Sequence, residues 1–136
     1  MAKIDGLIRE YQTGAVRSQD VGRPDYEGYL SPLVEQRYGE YMLKHQVQSD
    51  GQIRTSDNWQ KGMPLETYAK GLIRHRLHFW LRHRGHRVHD PLAGQTMEED
   101  LCAIIFNASG YLHELLKKSD CLVPNSLDKH PQYLVG

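Results

Sequence analysis

The segment TMEEDLCAIIFNASGYLHELLKK, Thr96–Lys118, constrains this chain more than any other. It has the marks of one long amphipathic helix. Thr96 and Glu99 have the spacing of a capping box, and the acidic first turn suits the helix dipole. Leu101, Ile104, Ile105, Ala108, Leu112 and Leu115 recur at helical spacing and predict a broad apolar face turned to the core. Asp100, Asn107 and Glu114 stand seven residues apart, so successive members drift by only about 20° and form a polar stripe beside that face. Asn107 lies inside the apolar run AIIFNAS, where an unpartnered buried amide costs about 1–3 kcal/mol. Two readings follow from the residues alone. Either Asp100 caps and Asn107 bonds a facing helix, or the stripe is one wall of a site. Glu114 lies too far along the axis to share a site with Asp100 and is expected at the surface.

At 136 residues the chain has the length of a single domain. Seventeen basic residues balance seventeen acidic ones, so net charge gives no pull toward nucleic acid or membrane. The distribution is uneven, however. Lys70, Arg74, Arg76, Arg82, Arg84 and Arg87 cluster with five histidines against only Asp90, a local basic wall suited to an anionic ligand. Two cysteines are too few for a disulfide framework or a zinc centre, and Cys102 reads as a small buried hydrophobe. MAKIDGLIRE lacks a signal-peptide pattern, and no apolar run reaches membrane-spanning length. A cytoplasmic protein is expected.

Two further helices are predicted. Ser31–Pro32 opens the first, which runs to about His45 with Val34, Tyr38, Tyr41, Met42 and His45 on one face and Glu35 at its edge. Glu40 is placed to pair with Lys44. Pro64 opens the second, to about Arg84, with Tyr68, Leu72, Ile73, Leu77, Phe79 and Trp80 on a wide apolar arc. Arg76 projects near the middle of that arc and needs a partner, for which Asp100 or Glu35 is the candidate. A structural ion pair and a ligand-binding arginine are both open for it. Between these helices, Gln48–Gly62 is a loop ending in SDNWQKG. Trp59 either anchors that loop or stacks on a ligand held by Asn58 and Lys61. Residues 1–30 and those after Lys118 are expected to be mostly irregular, with a short helix around Ile4, Leu7 and Ile8. The histidines of RHRGHRVHDPLAGQ lack the compact spacing of a metal site, so zinc is not expected there.

The ordered set Tyr38–Gly39, Asn58–Trp59 with Lys61–Gly62, Arg74–His75, and Asp100 with Asn107 resembles the bacteriophage family of dATP/dGTP diphosphohydrolase N-terminal domains. That family is related to the all-α MazG-type nucleoside triphosphate pyrophosphohydrolases. The resemblance spans roughly residues 30–118 and implies an all-α bundle of three main helices, assembled as a dimer or tetramer. It also implies hydrolysis of a purine deoxynucleoside triphosphate to monophosphate and pyrophosphate with Mg²⁺ or Mn²⁺. On this reading Glu35, Glu99 and Asp100 hold metal, with Glu35 and Asp100 catalytic. Asn58, Trp59, Lys61, Arg74, His75, Arg76 and Asn107 bind substrate. The acids depart from the family's pattern of pairs three residues apart, since Glu35 and Glu40 are five apart. Two alternatives stand beside hydrolysis: a nucleotide-binding module without turnover, and a structural or protein-interaction phage component. A nucleic-acid partner is not expected.

Overall fold

The computed structural model describes residues 8–90 and 95–122, which form four helices and one two-stranded sheet. Of the short helix expected around Ile4, Leu7 and Ile8, the first two residues lie outside the described ones and Ile8 begins a strand; the tail marked by Pro124 and Pro131 also lies outside. Mostly helical structure agrees with the α-rich expectation. The chain divides into two compact units, Met1–Gln36 and Arg37–Gly136.

The first unit is more ordered than its polar, glycine-rich sequence suggests. β1 (Ile8–Glu10) pairs antiparallel with β2 (Val16–Ser18), with Arg9 opposite Arg17. Gly14, at φ 89°, takes the left-handed conformation that closes the connecting turn, and its N–H donates to the Tyr11 carbonyl at 2.8 Å. Strands of three residues are too short to show alternation, which is why the hairpin is not visible in the sequence. α1 (Tyr26–Tyr29) is capped by Asp25, which accepts from the Gly28 N–H at 3.1 Å. α2 (Pro32–Lys44) starts where Ser31 and Pro32 place it, the serine hydroxyl accepting from the Val34 N–H at 3.3 Å.

The second unit contains the rest of α2, a 3-10 turn at Asn58–Lys61, α3 (Leu65–His83) and α4 (Met97–Leu122). α3 ends at Gly85, φ 77°, where the N–H groups of Gly85 and His86 return to the Arg82 and Leu81 carbonyls. That paired return is the Schellman arrangement. α4 opens with the expected capping box: the Thr96 hydroxyl accepts from the Glu99 N–H, and the Glu99 carboxylate from the Thr96 N–H, both at 3.2 Å.

α3 and α4 form the packed helix pair, and the face they share reverses the expectation. Tyr68, Gly71, His75, His78 and Arg82 of α3 meet Asp100, Asn107 and Gly110 of α4. The polar stripe is therefore the buried one. Of the face expected in the core, Leu101, Ala108, Leu112 and Leu115 are exposed, while Ile104 and Ile105 are half-buried. Backbone approach explains the inversion. A Cβ added at Gly71 would stand 2.6 Å from Asn107 Oδ1, and one added at Gly110 would overlap the Tyr68 ring. Two glycines let the helices close on each other only along the small and polar stripe, where bulky leucines do not fit. Asn107 meets its own need by donating to the Ala103 carbonyl at 2.8 Å, not to a facing helix.

Along α2 the predicted face holds from Tyr38 onward. Tyr41 is buried with Cys102 and Ala103, and Tyr38 and Met42 pack against them. Val34 is exposed. Lys44 does not pair with Glu40 as expected; it reaches Glu99 of α4 instead, and Arg37 pairs with Glu98 at 2.7 Å. No described helix is long and apolar enough to cross a membrane.

Candidate functional site

The second unit buries as much chemistry as hydrocarbon. Beside Tyr41, Tyr68, Cys102 and Ala103, the buried side chains among the described residues are the polar ones of His78, Glu99, Asp100 and Asn107. Buried polar groups need partners, so each of these is accounted for in turn.

Asp100 has no solvent exposure. One of its oxygens is held by the Arg82 guanidinium, and the other faces His75 Nδ1 at 3.9 Å. Burial pushes its carboxyl above the ordinary aspartate range, and the positive charge of Arg82 opposes that push. The expected partner, Arg76, is exposed and lies over the Trp80 ring at 5.2 Å, with Arg84 at 5.5 Å from the same ring. The reason is helix phase. Arg82 lies seven residues beyond His75, on the α4-facing side, whereas Arg76 is a hundred degrees off it.

His75 is held below its ordinary basicity first by burial and then by the Arg74 guanidinium and the neighbouring His78, so it is neutral at neutral pH. His78 Nε2 lies 3.3 Å from Asp90 Oδ2. His75, His78 and Asp100 each bring a donor atom within 4.8 Å of the others, the one such group of three among the described residues. Neither His78 nor Arg82 stands out in the sequence as a site residue. The signal available was the three-residue spacing of His75 and His78 on a predicted helix.

Glu99 is engaged elsewhere. One oxygen closes the capping box and the other is held by Lys44, whose hydrogen bond lowers the carboxyl below the ordinary glutamate range. Glu35 is exposed in the first turn of α2 and belongs to the first unit. Glu99 and Asp100, adjacent in sequence, are held by different partners, Lys44 and Arg82. Each Glu99 oxygen thus has a partner, whereas at Asp100 only one oxygen is held by arginine. Cys102 is buried, and burial raises its thiol, which makes it an inert filler as expected.

Beside this polar cluster lies a pocket of about 590 Å³, within the size range of small-molecule sites. Its aromatic walls are Tyr41, Trp59 and Phe106, and its charged or titratable side chains are His45, Arg54 and Lys61. Among the described residues no acidic side chain lines it. The DNWQKG loop forms one rim. Trp59 both anchors and lines: its ring meets His113 of α4 edge-on at 4.8 Å while it faces the pocket. Gly62 turns the chain at φ 95° close over Glu114, which is part-buried and paired with Lys117, not a surface residue as expected. Asn58, Trp59 and Lys61 are thus brought together. Arg74 and Arg76 are exposed on α3, and neither they nor His75 and Asn107 line the pocket.

Pocket and cluster are neighbours. His45, on the pocket wall, is close enough to add to the positive potential felt by His75. Tyr41 lines the same wall, accepts from Gln95 Nε2 at 3.4 Å, and feels the charges of Glu99 and Asp100. The chain matches no protein-family profile, no curated protein and no solved structure.

Proposed function

We propose that the second unit binds a nucleoside triphosphate in the pocket rimmed by the DNWQKG loop. The observation that carries this reading is the lining itself: three aromatic side chains with His45, Arg54 and Lys61, and no acid among the described residues. A flat base stacks on an aromatic face, and phosphates seek Lys61 and Arg54 together with the hydroxyls of Thr55 and Ser56. Hydrolysis of a purine deoxynucleoside triphosphate to monophosphate and pyrophosphate is the activity the sequence resemblance implies, and it is the first use we assign to the pocket. Capture without turnover is the second reading. It is favoured by the engagement of Glu99 by Lys44 and of one Asp100 oxygen by Arg82, which occupies carboxylate oxygens that Mg²⁺ or Mn²⁺ would need.

The test is thermal denaturation with dATP or dGTP in chelator, followed by an assay for released pyrophosphate with Mg²⁺ or Mn²⁺. A nucleotide that binds the folded state raises the melting temperature. Lys61→Ala is expected to weaken binding by roughly tenfold or more, the worth of one charge-assisted hydrogen bond. A melting temperature unmoved by every nucleotide would sink the reading. A shift with no pyrophosphate under either metal leaves capture as the function.

Assembly as a homo-oligomer belongs to the same proposal. The exposed row Leu101, Leu112, Leu115 and Leu116 on α4 supports it, because a soluble chain seldom leaves such a stripe uncovered. Sedimentation or light scattering is expected to give a dimer or tetramer, and Leu112→Asp to shift it toward monomer. A monomeric parent chain at high concentration would exclude assembly.

A further inference from the structure

We propose that His75, His78 and Asp100 form a binding site for one transition-metal ion of the zinc, cobalt and nickel class. The three side chains come from two helices that are locked together by the Gly71 and Gly110 approaches, so their convergence is built into the α3–α4 packing. His75 and His78 are one helical turn apart and share the face turned to α4. All three are withdrawn from water: side-chain exposure is 15% for His75, 6% for His78 and zero for Asp100.

Their unmet valences point to a ligand. His75 Nδ1, His78 Nδ1 and Asp100 Oδ1 are buried and have no hydrogen-bond partner among the described residues. The 3.9 Å between His75 Nδ1 and Asp100 Oδ1 is too long for a hydrogen bond, so the two do not satisfy each other. Three neighbouring side chains that each bury an unpartnered polar atom are rare in a folded chain, and an ion is one of the standard explanations. Asp90 completes the pattern. Its oxygen lies 3.3 Å from His78 Nε2, the ring nitrogen other than the unpartnered Nδ1. A histidine oriented by a carboxylate through its second nitrogen is the usual support behind a metal ligand.

The donor chemistry selects the ion. Two imidazoles with one carboxylate suit zinc, cobalt or nickel, whereas Mg²⁺ favours all-oxygen ligation. Three protein ligands also leave a position for water or another oxygen, as in catalytic zinc sites. Ion binding itself does not rest on the nucleotide reading. Only the assignment of that remaining position to a phosphate oxygen does, through the neighbouring pocket wall at His45 and Tyr41.

The experiment strips the full chain with chelator and titrates it with Co²⁺, then Zn²⁺, following the visible cobalt absorption and the heat of binding. One equivalent of Co²⁺ is expected to bind with an intense ligand-field band and to be displaced by Zn²⁺. His78→Ala and His75→Ala should each abolish the band, with folding checked by circular dichroism. Asp90→Asn should weaken binding about 10–100-fold while leaving the three ligands in place. Exposed His83→Ala should change nothing. The absence of binding by Co²⁺, Zn²⁺ and Ni²⁺ to the folded parent overturns the site, as does cobalt binding that survives both histidine variants. A nucleotide-induced thermal shift in chelator would then still support the pocket, so failure of the metal site and failure of the nucleotide reading are separately visible.

Discussion

Gly110→Ala is expected to destabilise the chain by about 2–3 kcal/mol, the ordinary cost of forcing a methyl group into a closed interface. The added carbon would meet the ring of Tyr68, which is 1% exposed and has no free direction in which to move. That ring is also packed near Phe106, centroids 6.1 Å apart, so yielding would disturb a second contact on α4. For a chain of this size the loss corresponds to a melting temperature lower by roughly 10 °C. Gly39→Ala provides the contrast. Gly39 lies inside α2 with open space where its Cβ would point, so the same change there should stabilise by about 0.5–1 kcal/mol through helix propensity. Pairing Gly110→Ala with Tyr68→Leu should cost less than the sum of the two single changes, because the smaller side chain removes the clash. A Gly110→Ala protein that melts with its parent would show that α3 and α4 do not approach along this line.

The helices themselves were legible in the sequence because their ends carry chemistry. Ser31 with Pro32, Pro64, and Thr96 with Glu99 each start a helix within a residue of where they predict. What the sequence misled on was orientation. The hydrophobic periodicity of α4 is real, yet the face buried within one chain is the polar one, because Gly71 and Gly110 make that stripe the line of closest approach. A moment calculated from hydropathy weighs leucines and overlooks glycines, so it points to the wrong side when the interface is built on small residues. The same error of phase set Arg76 against Asp100 in place of Arg82. Trp59, Asn58 and Lys61 were readable as one unit because they are contiguous. His75, His78, Arg82 and Asp100 were not, since their meeting depends on the α3–α4 crossing, which no local pattern encodes.

Arg82→Met is expected to destabilise the chain by about 3 kcal/mol at neutral pH. The change leaves the fully buried Asp100 carboxylate without its counter-charge, a loss that runs to 3–5 kcal/mol for buried pairs. The lower end applies because Arg82 keeps 21% of its side chain in solvent. The pH dependence has a definite sign. Burial already raises the folded-state pKa of Asp100, and removing Arg82 takes away the charge that restrains that rise. A carboxyl whose pKa is raised on folding weakens the fold as pH climbs from the ordinary aspartate range toward the raised value, and not below that range. The variant's defect should therefore be small in acid, grow as pH rises through that interval, and level off once the folded carboxyl is ionised. Adding Asp100→Asn to Arg82→Met should recover much of the neutral-pH loss, since the amide keeps the shape without the charge. Denaturant unfolding of the parent, the single variant and the double variant at acid and neutral pH measures all of this. A defect of equal size at both pH values, unrelieved by Asp100→Asn, would mean that Arg82 stabilises the helix pair by packing and not by neutralising Asp100.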